Sequence, residues 1–410
     1  MFKFQELFAK RAQNFNISDI KEAFQLAEKP GVIYFAGGFP GPRTFPREIV
    51  RNLLEKVVAE RGESSLQYAP TEGVSELRKI LAREMTGEGV AADPSEILIT
   101  SGSQQGLDLL CKAFLDPGDV VLVELPGYMG ALGAMDNYEA AKVGVPLDED
   151  GIRVDLLETI IQKLLQEKRK PKMLYLVPNF SNPAGVTLSW ERRKKIMELA
   201  QKYDFLIVED NPYGEINFGG ELPPHIKTLD VEGRVIYLGS FSKSFMPGIK
   251  IGWLCAQSDL IDKLTVMKQG TDLCTNSLGQ YLALYFMKEG CLQQHIGSLI
   301  DIYREKRDVM LQAMHRYFPA EVSWTEPQGG FFTFVTLPEG INAKTMLTKA
   351  VRYNVAYMPG NCFFADGQGH NTLRLAYSQV DLEKIEEGIK RLAVVIKEEI
   401  DSMKKESCCA

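Results

Sequence analysis

The sequence predicts an α/β fold: a mainly parallel, seven-stranded sheet covered by helices forms a large domain, and a smaller α+β domain lies beside it. Between residues 96 and 256, seven short apolar runs are mostly separated by stretches, such as 104–115 and 189–202, with apolar residues at helical spacing. Beyond residue 256 the pattern turns helical and then mixes short alternating strands with helices. Strands separated by helices are typical of parallel sheets whose faces the helices cover.

Composition and charge limit the functional classes. The chain has 410 residues, of which 45% are hydrophobic and 25% charged, enough for two unequal domains. Its net charge of −7 argues against a protein that binds the phosphate backbone of nucleic acid. Because no apolar stretch reaches the length of a membrane span and no export signal is evident, we expect no membrane contact and a cytoplasmic location. Seven scattered cysteines without a CxxC and four separated histidines predict neither disulfides nor a metal site.

The first 95 residues predict helices and two irregular loops. A helix over 18–29 is followed by the extended run VIYFA and by the loop 36–46, AGGFPGPRTFP. This loop is rich in Gly and Pro, so its backbone can either approach a substrate closely or serve as a plain connector. Two more helices are expected over 46–61 and 74–85, and the loop between them carries Tyr68.

The C-terminal part predicts several helices and the small α+β unit. Helical patterns cover 260–268, 278–287 and 292–317. The strands EVSW, FFTFVTL, VAYM and TLRLAY follow, with one helix over 343–352 and a final amphipathic helix over 381–400.

Polar or glycine-rich residues follow the strands of the predicted sheet. Ligands of parallel sheets bind at the carboxyl ends of the strands, so these residues are expected to converge. They are Gly102, Ser103, Gln104, Tyr128, Asn182, Asp210, Tyr213 and 240–243.

Lys243 lies at a strand end in the stretch 238–254, LGSFSKSFMPGIKIGWL. An amine in a partly desolvated pocket near other positive charge has a pKa lowered to roughly 7 to 8 and can form a Schiff base with a carbonyl. The hydroxyls of Ser240 and Ser242 and the cation of Lys250 suit a phosphate beside that carbonyl. Together they indicate pyridoxal phosphate, and the alternative is a solvated surface lysine.

Three residues suit the ring of such a cofactor. Asp210 ends a buried strand in VEDNPYG, where a carboxylate requires a buried cation such as a protonated pyridine nitrogen. That pairing would keep the ring an electron sink, whereas the alternative is an acid held by turn amides. Tyr213 and Asn182, the latter held extended before a proline, suit the ring's phenolate oxygen. A core tyrosine and a simple Asn-Pro turn are the alternatives.

Three further positions suit the phosphate, the ring face and the substrate. Ser103 and Gln104 begin a predicted helix, whose free N–H groups attract a phosphate, although an ordinary serine cap explains them equally well. Tyr128 could stack on the ring or simply pack. Arg374 lies in the alternating strand LRLAYS and suits a planar anion, either a substrate carboxylate or the partner in a structural ion pair.

Seven motifs occur in an order that resembles the class I aminotransferases of pyridoxal phosphate fold type I. They are FAGGFPGPRTFP, LQYAPTEGVSELR, ITSGSQQGLDLL, VPNFSNPAG, VEDNPYGE, LGSFSK and NTLRLAYS. The resemblance covers nearly the whole chain and is closest to the branch of 2-aminoadipate aminotransferases and kynurenine aminotransferase II. It implies a large cofactor-binding domain over 46–300 and a small domain formed by 1–45 and 301–410.

The resemblance also implies a role for each candidate residue. Those at the ring are Lys243 as Schiff base lysine and proton shuttle, Asp210 on the pyridine nitrogen, Asn182 and Tyr213 on the ring hydroxyl, and Tyr128 stacked on the ring. Those at the phosphate are Ser103, Gln104, Ser240 and Ser242. Those at the substrate are Arg374 on the α-carboxylate, Gly38 and Asn182 in the pocket, and Tyr68, which reaches in from the neighbouring subunit of a homodimer.

One position departs from the family pattern, because Lys250 stands where an arginine is usual. A lysine binds phosphate as a point charge without the bidentate fork.

The activity that the resemblance implies is ping-pong transamination between an L-amino acid and a 2-oxo acid such as 2-oxoglutarate. Candidate donors are 2-aminoadipate, aromatic or branched-chain amino acids. A C–S β-lyase or another fold type I enzyme is the alternative reaction, and a ligand-sensing module is a further one that the acidic charge disfavours.

Overall fold

The computed structural model describes residues 4–14 and 31–409, so the helix predicted over 18–29 lies outside the described residues. Fourteen strands occur within the described ranges. They are β1 (Ile33–Tyr34), β2 (Ile97–Thr100), β3 (Val120–Leu125), β4 (Ala141–Asp148), β5 (Gly151–Ile152), β6 (Pro171–Leu176), β7 (Leu206–Asp210), β8 (Val235–Ser240), β9 (Gly252–Cys255), β10 (Ser323–Trp324), β11 (Phe332–Thr336), β12 (Val355–Ala356), β13 (Met358–Pro359) and β14 (Thr372–Ala376).

The large sheet has the strand order β2-β9-β8-β7-β6-β3-β4-β5. Strands β4, β3, β6, β7 and β8 run parallel, and β9 is antiparallel to both of its neighbours. The seven predicted strands are all present, which confirms the α/β class. The sheet has an eighth strand, β5, because the chain turns back after Asp148 and pairs two residues with the end of β4. A two-residue strand is too short to produce an alternating pattern in the sequence.

Eleven α-helices lie in the part of the chain that the structure describes. They are α1 (Arg47–Leu66), α2 (Ser75–Gly87), α3 (Ser103–Phe114), α4 (Met129–Asp136), α5 (Val154–Gln166), α6 (Trp190–Tyr203), α7 (Ser258–Asp272), α8 (Ser277–Lys288), α9 (Cys291–Tyr317), α10 (Ala343–Arg352) and α11 (Leu382–Cys409). Two differ most from prediction: α1 kinks at Arg61 (φ −132°, ψ 23°) and continues to Leu66, and α11 continues past residue 400.

The central strands of the large sheet are buried on both faces. Val121 and Val123 of β3 pack in a cluster with Leu107 and Leu110 of α3, whereas Leu122 packs on the opposite face. Burial on both faces explains why these strands read as continuous apolar runs, and it leaves their carboxyl ends as the place where polar side chains collect.

Two smaller sheets complete the fold. Strands β10-β11-β14-β13 form an antiparallel sheet, and β1 pairs with β12 in parallel. The run VAYM, predicted as one strand, is divided between these two sheets. Helix α9 passes without a break through residue 300, where the sequence predicts a domain boundary, and the division into 46–300 and the remainder stays a prediction.

The residues described above bear on membrane insertion and on metal binding. Among their helices, none combines the length and apolarity that crossing a membrane requires. Their His, Cys, Asp and Glu side chains form no group of three arranged to hold a metal ion. Five cysteines of the described part of the chain form no disulfide, and they are Cys111, Cys255, Cys274, Cys291 and Cys362.

Candidate active site

The carboxyl ends of the parallel strands surround a cavity of about 280 Å³. Eight of the candidate residues line it, and they come from the loop before α1, the start of α3, the segments after β3 and β6, the end of β7, the segments after β7 and β8, and strand β14. They are Gly38, Ser103, Tyr128, Asn182, Asp210, Tyr213, Lys243 and Arg374.

Lys243 is half-buried in this cavity and donates a hydrogen bond from Nζ to the carbonyl oxygen of Gly38 at 3.0 Å. Its ammonium lies 5.9 Å from the ring centroid of Tyr213. Burial lowers the lysine pKa to about 8, the charges of Arg374 and Lys250 act in the same direction, and Asp210 opposes them. Neutral amine is therefore accessible near neutral pH, as a nucleophile or a base requires.

Asp210 is 3% exposed, and its two oxygens differ. Oδ2 accepts a hydrogen bond from the Tyr175 hydroxyl at 2.7 Å, whereas the buried Oδ1 has no partner among the described residues. Burial raises the pKa of this carboxyl to about 6, with Tyr175 and Lys243 acting in the opposite direction. An unpaired buried acceptor costs about 1–3 kcal/mol. Oδ1 therefore suits a buried N–H donor such as a protonated pyridine nitrogen.

Arg374 lies in the middle of β14 and is 2% exposed. Its Nη1 donates to Asn182 Oδ1 at 2.7 Å and its Nη2 to the carbonyl oxygen of Ala36 at 2.6 Å. The guanidinium lies 4.3 Å from the ring centroid of Phe332. Its buried Nε has no partner in the described part of the chain, and burial lowers the arginine pKa to about 10. A buried cation hydrogen-bonded to two neutral oxygens suits a carboxylate ligand.

Tyr213 is buried between aromatic side chains. Its ring makes edge-to-face contacts with Phe331 and Phe332, both at 5.6 Å between centroids. Burial raises the pKa of its hydroxyl far above the ordinary value, and a hydrogen bond with the Asn182 side chain acts against that rise. The hydroxyl therefore stays protonated and can donate a hydrogen bond to an oxygen of a ligand.

Of the candidate phosphate residues, Ser103 lines the cavity and Lys250 lies beside the start of the same helix. Ser103 is the first residue of α3, and Gly102 before it has φ 78°. A Cβ on Gly102 would lie 3.1 Å from Nζ of Lys250, so the ammonium of Lys250 approaches the start of this helix. The hydroxyls of Ser240 and Ser242 are 2.9 Å apart. Helix start, hydroxyls and cation together suit an anion.

Five candidate residues do not line the cavity: Gln104, Ser240, Ser242, Lys250 and Tyr68. The Gln104 side chain donates to the carbonyl oxygen of Gly130 at 2.8 Å and accepts from the Tyr128 hydroxyl at 3.4 Å. Tyr68 is 74% exposed, away from this chain's own cavity.

The structure adds lining residues to the candidates, and two of them, Ala36 and Phe39, belong to the loop 36–46 for which close approach to a substrate is one of the predicted alternatives. The remaining lining residues are Ala36, Phe39, Met129, Gly130, Val177, Pro212 and Met358. Most are apolar and lie within loops or short strands, so no pattern separates them from core residues. Tyr175 carried one signal, since its hydroxyl lies in the middle of a buried apolar strand and requires a partner there.

This site defines a class of enzyme. A half-buried lysine of lowered pKa, a buried aspartate with one oxygen unpaired among the described residues, and a helix start beside a cation fit pyridoxal phosphate. The buried arginine fits the carboxylate of an amino acid. Together with the α/β fold, these features are those of a pyridoxal phosphate-dependent enzyme.

Comparison with known proteins identifies the family. Residues 36–392 match the family model described as aminotransferase class I and II, and the chain therefore belongs to this family. It is 47% identical over 398 residues to aromatic-amino-acid aminotransferase 1 of Thermococcus litoralis, covering 97% of this chain and 95% of that protein. It is 40% identical over 395 residues to the 2-aminoadipate transaminase of Thermus thermophilus, covering 96% and 97%.

A solved structure supports the same family assignment. The kynurenine aminotransferase of Pyrococcus horikoshii, crystallised with pyridoxamine phosphate (PMP), superposes with a TM-score of 0.94 at 45% identity, covering 96% of this chain and 98% of that one. The chain is thus a pyridoxal phosphate-dependent aminotransferase whose substrates are an amino acid and a 2-oxo acid. The relatives support transamination and not the C–S β-lyase alternative.

Proposed function

We propose that this aminotransferase takes aromatic and other large apolar L-amino acids as donors and passes the amino group to a 2-oxo acid such as 2-oxoglutarate by a ping-pong mechanism. The observation that carries the proposal is the apolar part of the cavity, formed by Ala36, Phe39, Met129 and Met358. Such a surface binds an apolar side chain through the hydrophobic effect. The relatives named for aromatic amino acids and kynurenine support the same donor class.

Lys243 is assigned the covalent and proton-transfer role. When bound, pyridoxal phosphate supplies a carbonyl that takes up the amino group and a ring that accepts the electron pair left on Cα. With a pKa of about 8, Nζ of Lys243 is partly neutral at neutral pH and can take the proton from the substrate Cα. The hydrogen bond to the Gly38 carbonyl orients this amine within the cavity.

The ring and the phosphate are assigned to the remaining polar residues. Asp210 Oδ1 would accept from the pyridine N–H, because this buried oxygen has no other partner in the described chain. The other contacts are Asn182 and Tyr213 at the ring hydroxyl, Tyr128 at the ring face, and Ser103, Gln104, Ser240, Ser242 and Lys250 at the phosphate.

Arg374 is assigned the α-carboxylate of the substrate. Its unpaired Nε supplies a donor beside the two that Asn182 and Ala36 already hold. Gly38 keeps this end of the cavity open, since a Cβ there would lie 2.9 Å from Cζ of Phe332 and 3.7 Å from Nη2 of Arg374.

We further propose a cytoplasmic homodimer in which Tyr68 completes the partner's site. Tyr68 is 74% exposed, and Leu66 and Val58 of α1 are 70% and 48% exposed. Exposed apolar groups on one helix and the loop that follows it support burial against a second copy. The five described cysteines named above form no disulfide, which supports a reducing compartment.

The test is a spectral half-reaction screen of the holoenzyme. Aromatic donors should convert the cofactor to its pyridoxamine form fastest, and a 2-oxo acid should reverse the change; branched-chain, acidic and 2-aminoadipate donors are the comparison arms. Faster conversion by 2-aminoadipate or glutamate would contradict the donor class. Release of pyruvate and ammonia without the pyridoxamine form would contradict transamination. In parallel, Lys243→Ala should abolish the visible absorbance of the lysine-bound cofactor, whereas the exposed control Lys263→Ala should retain it.

A further inference from the structure

Two adjacent strands of the large sheet, β6 and β7, place buried polar side chains on the same face at the floor of the site, whereas Glu124 of the third strand, β3, lies on the opposite face, with Val145. Glu124 comes from β3, Tyr175 from β6 and Asp210 from β7. Tyr175 is opposite Val208 in the β6–β7 register. Because Val208 and Asp210 are two residues apart on β7, they share a face of the sheet, and Tyr175 reaches Asp210 diagonally.

The bond between Tyr175 and Asp210 is a buried, charge-assisted hydrogen bond. The phenol O–H lies 2.7 Å from Oδ2, and the two residues are 1% and 3% exposed. Burial, and next the charge of Asp210, raise the pKa of Tyr175 well above its ordinary value, so the phenol stays protonated and is always the donor. Such a bond favours the ionised carboxylate and fixes which oxygen it uses.

Glu124 does not compete for this role. Its Oε2 accepts from the backbone N–H of Val177 at 3.1 Å. Burial raises its pKa to about 8, that backbone bond opposes the rise, and the charge of Asp210 adds to it. Glu124 is therefore mainly neutral at pH 7. Of the two carboxyl groups, Asp210 is the one that carries the negative charge.

We propose that Tyr175 is a positioning residue of this aminotransferase: its O–H holds Oδ2 of Asp210, keeps the carboxylate ionised and leaves Oδ1 facing the cofactor ring nitrogen. This inference rests on the proposed pairing of Asp210 with that nitrogen. Without the phenol O–H, Asp210 binds a proton more readily. The proton shared with the ring nitrogen then moves towards the carboxylate, and the ring withdraws electrons less strongly.

The test measures that proton directly. Holoenzyme is prepared with pyridoxal phosphate labelled with ¹⁵N in the ring, and the ¹⁵N chemical shift reports protonation of the ring nitrogen. Tyr175→Phe should move the shift towards the neutral pyridine value. It should also lower kcat by about tenfold, the size expected for losing a hydrogen bond to a charged group, with little change in the donor KM, because Arg374 is untouched.

Two matched controls separate positioning from packing. Tyr237→Phe removes another buried tyrosine hydroxyl, on the neighbouring strand β8, that accepts from Asn211 Nδ2 and does not donate to Asp210. Glu124→Gln replaces a neutral acid by a neutral amide. Both should leave the ¹⁵N shift unchanged.

The Asp210→Asn variant distinguishes failure of the proposed pairing between Asp210 and the ring nitrogen from failure of the positioning role of Tyr175. If Asp210→Asn does not move the ¹⁵N shift, the pairing of Asp210 with the ring fails and the role of Tyr175 fails with it. If Asp210→Asn moves the shift but Tyr175→Phe leaves it as in wild type, the pairing holds and the positioning role is overturned. Equal movement in Tyr175→Phe and Tyr237→Phe would also overturn it, since packing alone would then explain the effect.

Discussion

Nη1 of Arg374 donates to Oδ1 of Asn182 at 2.7 Å, and this bond joins the small antiparallel sheet to the segment that follows β6 of the large one. The two residues are 192 positions apart in the chain. Since Asn182 is also hydrogen-bonded to Tyr213, the proposed carboxylate site and the proposed ring site share one amide side chain. The two proposed binding positions are thereby connected through a direct contact between Arg374 and Asn182.

Arg374→Lys should raise the donor KM strongly. A lysine is a point charge that cannot donate to Asn182, Ala36 and a carboxylate in one plane, so we expect kcat/KM to fall about 100-fold, equivalent to about 2.7 kcal/mol. Steady-state kinetics with an aromatic donor measures this. The exposed Arg316, which pairs with Glu386, is the matched control, and Arg316→Lys should have no effect. A donor KM that stays at the wild-type value would contradict the assignment of Arg374.

The reactivity of Lys243 should depend on pH with a midpoint near 8 in the cofactor-free enzyme. Its pKa is lowered from 10.5 to about 8, so the neutral, nucleophilic amine appears at a lower pH than on exposed lysines. Labelling with a trace of acetic anhydride, read by mass spectrometry at Lys243, gives the midpoint. Arg374→Met removes a positive charge that lowers this pKa, and the midpoint should therefore move to higher pH.

The matching control for that titration is Arg316→Met, which removes a positive charge from the surface and should leave the midpoint in place. A Lys243 midpoint equal to that of exposed lysines would mean that the amine is solvated as on the surface, against the burial that lowers its pKa.

Lys250→Arg should retain the cofactor more tightly. An arginine at this position offers a bidentate fork to a phosphate, so we expect cofactor loss on dialysis to slow by about tenfold. Gly102→Ala should act in the opposite direction, because Gly102 has φ 78° and its Cβ would lie 3.1 Å from the Lys250 ammonium. Retention that is equal or weaker in Lys250→Arg would argue against a phosphate contact for Lys250.

Tyr68 and Lys243 should complement each other between subunits. Tyr68→Ala and Lys243→Ala homodimers are each expected to be impaired. Mixing and refolding them at equal concentration should restore about a quarter of the wild-type sites, because half of the dimers are hybrids and each hybrid has one intact site. Activity is measured after mixing, and native mass spectrometry of the same mixture calibrates subunit exchange by the fraction of hybrid dimers. If the calibration shows that subunits exchange and the activity of the mixture does not exceed the sum of the Tyr68→Ala and Lys243→Ala preparations, a shared site is excluded.

Most of the large sheet could be predicted from the sequence, because its strands are buried on both faces and leave continuous apolar runs between amphipathic helices. Two features of the sheets could not be predicted, because they depend on contacts between separate segments of the chain. Strand β5 is fixed by its pairing with β4, and VAYM divides between two sheets because of where β1 and β14 lie. These are contacts between distant segments, which no local pattern encodes.

The sequence by itself determined the fold class, the aminotransferase resemblance and the set of polar residues at the strand ends, since strand period, turn residues and motif order are local properties. Only the tertiary structure decided which of them share one cavity and which hydrogen bonds they still lack. It showed that, among the described residues, Asp210 Oδ1 and Arg374 Nε have no hydrogen-bond partner and that the Tyr175 hydroxyl donates to Asp210 Oδ2, because an unpaired buried atom is defined by everything packed around it.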